Sequence, residues 1–221
     1  CDTSDSKKLD QIIRQSQTAK LQISYKIGLE FFLSPKGRSF VSKLDKKEIF
    51  LDLKLNDIPN TCVAAIHSLK DLKKISYLTV HVNGGLDMLK AIKKASKKVN
   101  KNLKILGVTI LTSFSNSSIK KIGHTKSIKE LVKKQAALAK LAKLDGIVCS
   151  GHEVKFLKKI CKNMEIITPG IRLLGDNRGD QKRVMTPKQA FKNGATSIVM
   201  GRSLTKGNIK NNIKNLINSL Y

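Results

Sequence analysis

Asp52, Lys54 and Asp57 stand close together where the apolar run Ile49-Phe50-Leu51 gives way to Asp52-Leu53-Lys54-Leu55-Asn56-Asp57-Ile58-Pro59-Asn60-Thr61. The run is short and β-prone, as expected of a covered parallel strand. Asp52 and Lys54 are two residues apart, so an extended chain points them the same way. Asp57 falls where the chain should already be turning, because Ile58-Pro59 resists helix and Asn60 can cap the next one. Opposite charges on one face at the end of a strand are costly to bury unless each has a partner. Two readings follow: a buried ion pair that sets strand register, or an active site.

Lys26 strengthens the second reading. It closes Ile23-Ser24-Tyr25-Lys26, and a lysine ending an inward-facing strand is hard to ascribe to surface bias. With Asp52, Lys54 and Asp57 it makes an alternating series of plus, minus, plus and minus. Each lysine is then held protonated by acidic neighbours and each carboxylate held ionised by cations. Such a site can stabilise a carbanion and deliver a proton to it. A structural salt-bridge network is the competing account. His81, at the end of Thr79-Val80-His81, faces the same region, but a single histidine at a strand end reads first as structural.

Arginine marks a second region. Up to residue 171 the chain has two arginines, Arg14 and Arg38, against 31 lysines; from 172 onward it has Arg172, Arg178, Arg183 and Arg202 against six. The planar guanidinium matches phosphate oxygens in a bidentate way that lysine cannot. The C-terminal quarter is therefore expected to hold an anionic ligand. Gly201-Arg202 follows the run Ser197–Met200, where a glycine lets backbone N–H groups approach a ligand. The segment Gly175–Arg183 is polar throughout and reads as a mobile loop able to close over a polar ligand.

The elements that must position these groups alternate. β-like runs lie at Ile23–Lys26, Ile49–Lys54, Tyr77–His81, Ile105–Thr109, Gly146–Cys149, Glu165–Thr168 and Ser197–Met200. Helical patterns cover Lys7–Gln17, Gly37–Leu44, Asn60–Lys73, Leu86–Lys97, Ser127–Lys143, His152–Lys162, Pro187–Asn193 and Ile209–Leu220. Alternating β and α with short connections implies a parallel α/β sheet with right-handed crossovers. Seven strands are visible. An eighth before Cys1 would close a (β/α)8 TIM barrel, with residues 1–221 as one catalytic domain. The chain begins without a methionine, so a truncated first strand and a missing N-terminus are expected. An open doubly wound sheet is the alternative, but no GxGxxG follows the first run. In a barrel, chemistry sits at the C-terminal ends of the strands. Lys26, Asp52, Lys54, His81, Thr112, Arg172 and Arg202 all fall there.

Composition excludes several classes. No run of roughly 18 apolar residues offers a transmembrane helix, and no secretory signal is evident. Cys1, Cys62, Cys149 and Cys161 lack metal-ligand spacing, and reduced thiols in a cytoplasmic protein account for them. The four histidines form no HxH or HExxH, so no zinc site is expected. A net charge of +27 raises the question of nucleic acid. The lysines, however, are spread over the polar faces of predicted helices, and three tyrosines with no tryptophan leave few stacking platforms. No nucleic-acid partner is expected.

Asp-x-Lys-x-x-Asp-Ile-Pro-Asn-Thr at 52–61 resembles the catalytic signature of the orotidine 5'-phosphate decarboxylase family. Further blocks agree in order across nearly the whole chain: Cys1-Asp2-Thr3, Lys-x-Gly-Leu-Glu at 26–30, His-x-x-Gly-Gly at 81–85 and Val-Thr-x-Leu-Thr-Ser at 108–113. Thr-Pro-Gly-Ile-Arg at 168–172, Gly-Asp-Gln-Lys-Arg at 179–183 and Met-Gly-Arg at 200–202 continue the series. The Ile-Pro-Asn-Thr and Gln-Lys-Arg blocks resemble the bacterial branch. Asn177-Arg178 departs from the pattern, standing where small residues are usual.

The resemblance implies decarboxylation of orotidine 5'-monophosphate to UMP, the last step of pyrimidine nucleotide synthesis, without cofactor or metal. It implies Lys54 as proton donor, Asp52 beside the scissile carboxylate and Lys26 in support. Asp2 would meet the ribose hydroxyls, and Thr112 would lie near the base. Gln181, Gly201 and Arg202 would hold the phosphate, with Arg172 close by. Asp57, Ile58 and Thr61 would serve the neighbouring subunit's site, making the active form a homodimer. The rival within the superfamily is a Mg2+-dependent sugar-phosphate decarboxylase or synthase that shares Asp-x-Lys-x-x-Asp and needs carboxylates for the metal.

Overall fold

The computed structural model describes residues 1–44, 48–176 and 183–221. Seven strands, β1 (Ser24–Gly28), β2 (Glu48–Leu55), β3 (Ile75–His81), β4 (Lys104–Val108), β5 (Gly146–Val148), β6 (Glu165–Thr168) and β7 (Ser197–Ile198), form one sheet in sequence order. Every pairing is parallel. This is the α/β arrangement that the alternating pattern predicts.

Two hydrophobic layers follow from the alternation of strand side chains. Ile49, Leu51, Leu78, Val80, Ile105, Ile147 and Ile166 point outward and join a buried cluster with helix residues such as Ile66, Leu89, Ile92, Val132 and Leu157. Their partners in the alternation, Phe50, Leu106 and Ile167, pack together on the inner side with Tyr77, Val148 and Val199. Phe50, Leu106 and Ile167 belong to alternate strands, whose side chains would sit roughly 10 Å apart on a flat sheet. Their contact requires that the sheet curl inward.

The covering helices begin with α1 (Ser6–Gln15), α2 (Leu29–Phe32), α3 (Gly37–Ser42), α4 (Pro59–His67) and α5 (Gly85–Val99). They continue with α6 (Asn116–Lys121), α7 (Ile128–Leu141), α8 (Gly151–Ile160), α9 (Pro187–Asn193), α10 (Arg202–Thr205) and α11 (Ile209–Leu220). Local chemistry sets several starts. Asp5 caps α1 by accepting the Lys7 N–H at 2.8 Å. Ser127 and Glu130 form a capping box on α7, and Thr186 with Pro187 opens α9. Gly194 ends α9 in a left-handed conformation with φ 104°, where a side chain would be strained. The predicted helical patterns correspond to α1, α3, α4, α5, α7, α8, α9 and α11 and miss α2, α6 and α10, which span only four to six residues. α4 is also shorter than predicted, stopping at His67; Leu69 and Leu72 are buried from the turns that follow.

Among the described residues no eighth strand joins β7 to β1. Residues 1 and 2 nevertheless lie between those two edges. The Cys1 amino group donates to the Lys26 carbonyl at 3.0 Å, and a Cβ placed on Gly201 would lie 3.8 Å from Asp2 Oδ2. No described helix is long and apolar enough to cross a membrane.

Candidate active site

Asp52 is the hub of the charged groups at the C-terminal ends of β1 and β2. Only 8% of it is exposed, and both its oxygens are engaged. Lys26 Nζ reaches Oδ2 at 3.0 Å, and Lys54 Nζ reaches Oδ1 at 2.9 Å. Lys26 also lies 3.6 Å from Asp2 Oδ1, so Asp2 belongs to the same array. Burial opposes ionisation of Asp52, but the charges of Lys26 and Lys54 outweigh it and hold the carboxyl below its ordinary value. Burial likewise opposes the charge on Lys26, and Asp52 followed by Asp2 outweighs it, raising the ammonium above its ordinary value. Two cations flank a carboxylate kept ionised.

The route to this contact differs from the predicted one. Asp52 and Lys54 do not sit on a regular extended stretch. The ladder pairs Leu51 with Leu78 and then Leu55 with Val80, so β2 advances four residues while β3 advances two. The extra residues form a bulge, and Lys54 adopts φ 50°, in the left-handed region. A non-glycine residue takes that conformation at a cost of roughly 1–2 kcal/mol. Bulges of this kind redirect side chains beside functional sites.

Thr79 is a member of the site that the sequence pattern does not single out; it stands there only as a neighbour of His81. It is 1% exposed, and its hydroxyl donates to Asp52 Oδ1 at 2.9 Å. The Thr79 oxygen in turn accepts the backbone N–H of Lys54 at 2.9 Å. A hydroxyl within the otherwise apolar Tyr77-Leu78-Thr79-Val80 is the available signal. His81 is half-buried; desolvation first, then the charge of Lys54, push its pKa down against the pull of Asp52. The shift favours the neutral imidazole.

A cavity of about 870 Å³ runs along the inside of the curled sheet, from Glu48, Lys104 and Glu165 at the N-terminal ends of the strands to the charged array at their C-terminal ends. Lys26, Asp52 and Lys54 line it on one side, and Thr112, Arg172 and Arg202 line it at the same strand ends. Burial, then the like charge of Arg202, lower the pKa of Arg172. An anion between the two guanidiniums would relieve that repulsion. Gly201 lies in the cavity wall, and among the described residues only Asp2 Oδ2 is near the position a Cβ would take. Cys62, Cys149 and Cys161 are buried free thiols, and Cys149 lies along the cavity.

Two expectations are revised or left apart. Arg183 does not join the arginines of the cavity. It forms an ion pair with Glu153, which is 4% exposed, and donates to the Leu111 carbonyl at 3.3 Å. Its guanidinium thereby ties the start of α8 to the loop that carries Thr112. Asp57, Ile58 and Thr61 are exposed at the start of α4 and do not line the chain's own cavity; Ile58 is 66% exposed. Asp57 Oδ1 accepts the Ile58 N–H at 2.7 Å. The structure thus gathers Lys26, Asp52 and Lys54 and leaves Asp57 outside. Gln181, with the rest of 177–182, lies outside the described residues.

Fold and charge array together define a class: parallel α/β proteins whose reactive groups gather at the carboxyl ends of inward-curled strands. Within that class, the chain belongs to the Orotidine 5'-phosphate decarboxylase / HUMPS family, whose family model matches residues 2–212. It is 42% identical over 185 residues to an orotidine 5'-phosphate decarboxylase of Legionella pneumophila, covering 82% of this chain and 80% of that one. It is 40% identical over 205 residues to the corresponding protein of Sphingopyxis alaskensis, with 91% and 89% covered. The crystal structure of orotidine 5'-phosphate decarboxylase from Lactobacillus acidophilus matches with a TM-score of 0.85 at 30% identity, over 100% of this chain and 96% of that one.

Proposed function

We propose that this chain decarboxylates orotidine 5'-monophosphate to UMP. The observation that carries the reading is the Lys26–Asp52–Lys54 array at the mouth of the cavity, in a chain whose relatives bear that enzyme's name. Loss of CO2 from the pyrimidine ring leaves a carbanion with no adjacent group to delocalise it. Stabilisation must then come from charge already in place. The Lys54 ammonium is a cation beside the reacting carbon and carries the proton that ends the reaction. The Asp52 carboxylate, held ionised, repels the substrate carboxylate in the ground state and loses that repulsion as CO2 departs. Lys26 keeps Asp52 ionised and oriented. The substrate phosphate sits at Gly201 and Arg202 with Arg172 near, and Gln181 adds a further contact. Asp2 receives the ribose, and Thr112 lies at the base. Binding energy from the phosphate is available to assemble the charged centre without stabilising bound substrate equally.

The active form in this reading is a homodimer of one-domain (β/α)8 barrels. Support comes from the exposure of Asp57, Ile58 and Thr61 at the start of α4, where a second copy can receive them. Residues 1 and 2 between β7 and β1 support a closing strand at that place. The reading needs no metal or cofactor. The test is the fall in absorbance of orotidine 5'-monophosphate on adding the protein, with and without EDTA. Turnover unaffected by the chelator is expected; turnover that requires Mg2+, or none on this substrate, would overturn the reading.

A further inference from the structure

Thr79 sits on the inner face of β3, between Tyr77 and His81. Lys54 N–H, Thr79 Oγ1–H and the Asp52 carboxylate form one directed chain, with both distances 2.9 Å. A hydroxyl has one proton and two lone pairs, so it fills both roles at once. Each bond in such a chain polarises the next.

The chain lies where the β2–β3 ladder is interrupted, between Leu51↔Leu78 and Leu55↔Val80. There the Lys54 N–H is received by a side chain of the strand that elsewhere supplies main-chain partners. The acceptor holds a backbone at φ 50°, a conformation that persists only where its surroundings over-determine it. Threonine suits the task because its branched Cβ leaves few χ1 states, which keeps the hydroxyl aimed. Valine would preserve the shape and leave both the N–H and the carboxylate oxygen one partner short.

We propose that Thr79 is a positioning residue for the decarboxylation: its hydroxyl locks the left-handed backbone of Lys54 to the Asp52 carboxylate, so that ammonium and carboxylate are set before substrate arrives. The inference rests on the functional reading above. Thr79 acts through its two neighbours.

Thr79→Val and Thr79→Ser, assayed beside the wild type on orotidine 5'-monophosphate, test this role. Thr79→Val should lower kcat roughly 30-fold with KM within about threefold, because the interaction matters where charge develops. Thr79→Ser should recover most of the lost turnover. Wild-type kcat in Thr79→Val, a loss confined to KM, or a Thr79→Ser as impaired as Thr79→Val would overturn the role. Hydrogen exchange of the Lys54 amide in the wild type gives a reading that depends on neither activity nor the folding of a variant. That amide should be protected; exchange at the rate of an unstructured chain would remove the bridge. A wild type inactive on the substrate but protected at Lys54 would overturn the reaction assignment and leave the bridge standing.

Discussion

Lys54 Nζ lies 2.9 Å from Asp52 Oδ1 across a bulge in which β2 takes four residues to match two of β3. The contact is made from a left-handed backbone, so the lysine is aimed by the irregularity and not by strand alternation. Any account of the reaction has to treat that local geometry as part of the site.

Lys54→Ala should abolish nearly all turnover and leave the fold intact, since the side chain is part-exposed and its backbone bond to Thr79 is retained. Steady-state kinetics with circular dichroism make the check. A variant within tenfold of wild type, about 1.4 kcal/mol, would rule out the proton-donor role.

Asp57 should act across subunits. Lys54→Ala and Asp57→Ala homodimers are each expected to be inactive, and mixing them should restore activity. In a mixed dimer one site carries both lesions and the other none. A mixture that stays inactive after verified subunit exchange would refute the shared site.

Arg202→Ala should act through the phosphate. The loss in kcat/KM should be on the order of 2–4 kcal/mol for the phosphorylated substrate, as for a charged contact. With orotidine lacking the phosphate, variant and wild type should be nearly equal, and added guanidinium should partly restore the variant. Equal losses on both substrates would mean that Arg202 shapes the cavity mouth instead.

Stability should depend on Asp52 in a pH-specific way. Its folded pKa lies below the ordinary 3.8, so its ionised form favours the folded state. That contribution is complete above the unfolded value and is lost as pH falls through the lower, folded one. Lys26, raised above 10.5, contributes fully below that value and loses its contribution as pH rises through the folded pKa. Urea unfolding of wild type and Asp52→Asn from pH 7 to 3 should show a gap at neutral pH that narrows toward the acid end. A gap that widens on acidification would contradict the ion-pair account.

Glu153→Ala should cost about 3–5 kcal/mol of stability, because it leaves the Arg183 guanidinium without its buried counter-charge. The loss should appear in chemical denaturation before any effect on chemistry is considered. A change under about 1 kcal/mol, the worth of a solvent-exposed pair, would show that the pair is screened by water in solution.

The apolar runs mark all seven strands, and the lysines and aspartates at their ends are legible as a site from residue type and spacing alone. Strand alternation and helix caps are encoded within a few neighbouring residues, so they survive in a linear reading. The arginine contrast is legible too, but not its allocation. Arg172 and Arg202 line the cavity, whereas Arg183 is held by Glu153, 30 residues away. Thr79 meets Asp52 over 27 residues, and only the order and register of the sheet bring them together. The left-handed Lys54 is equally hidden, because a bulge is a mismatch between two strands and neither strand records it alone. Residue type and place along each strand fix which side chains carry charge and at which end of the sheet they gather. Which of them become partners, and that Asp57 stands apart from Asp52, follows only from folding, because partnership between charges depends on distance.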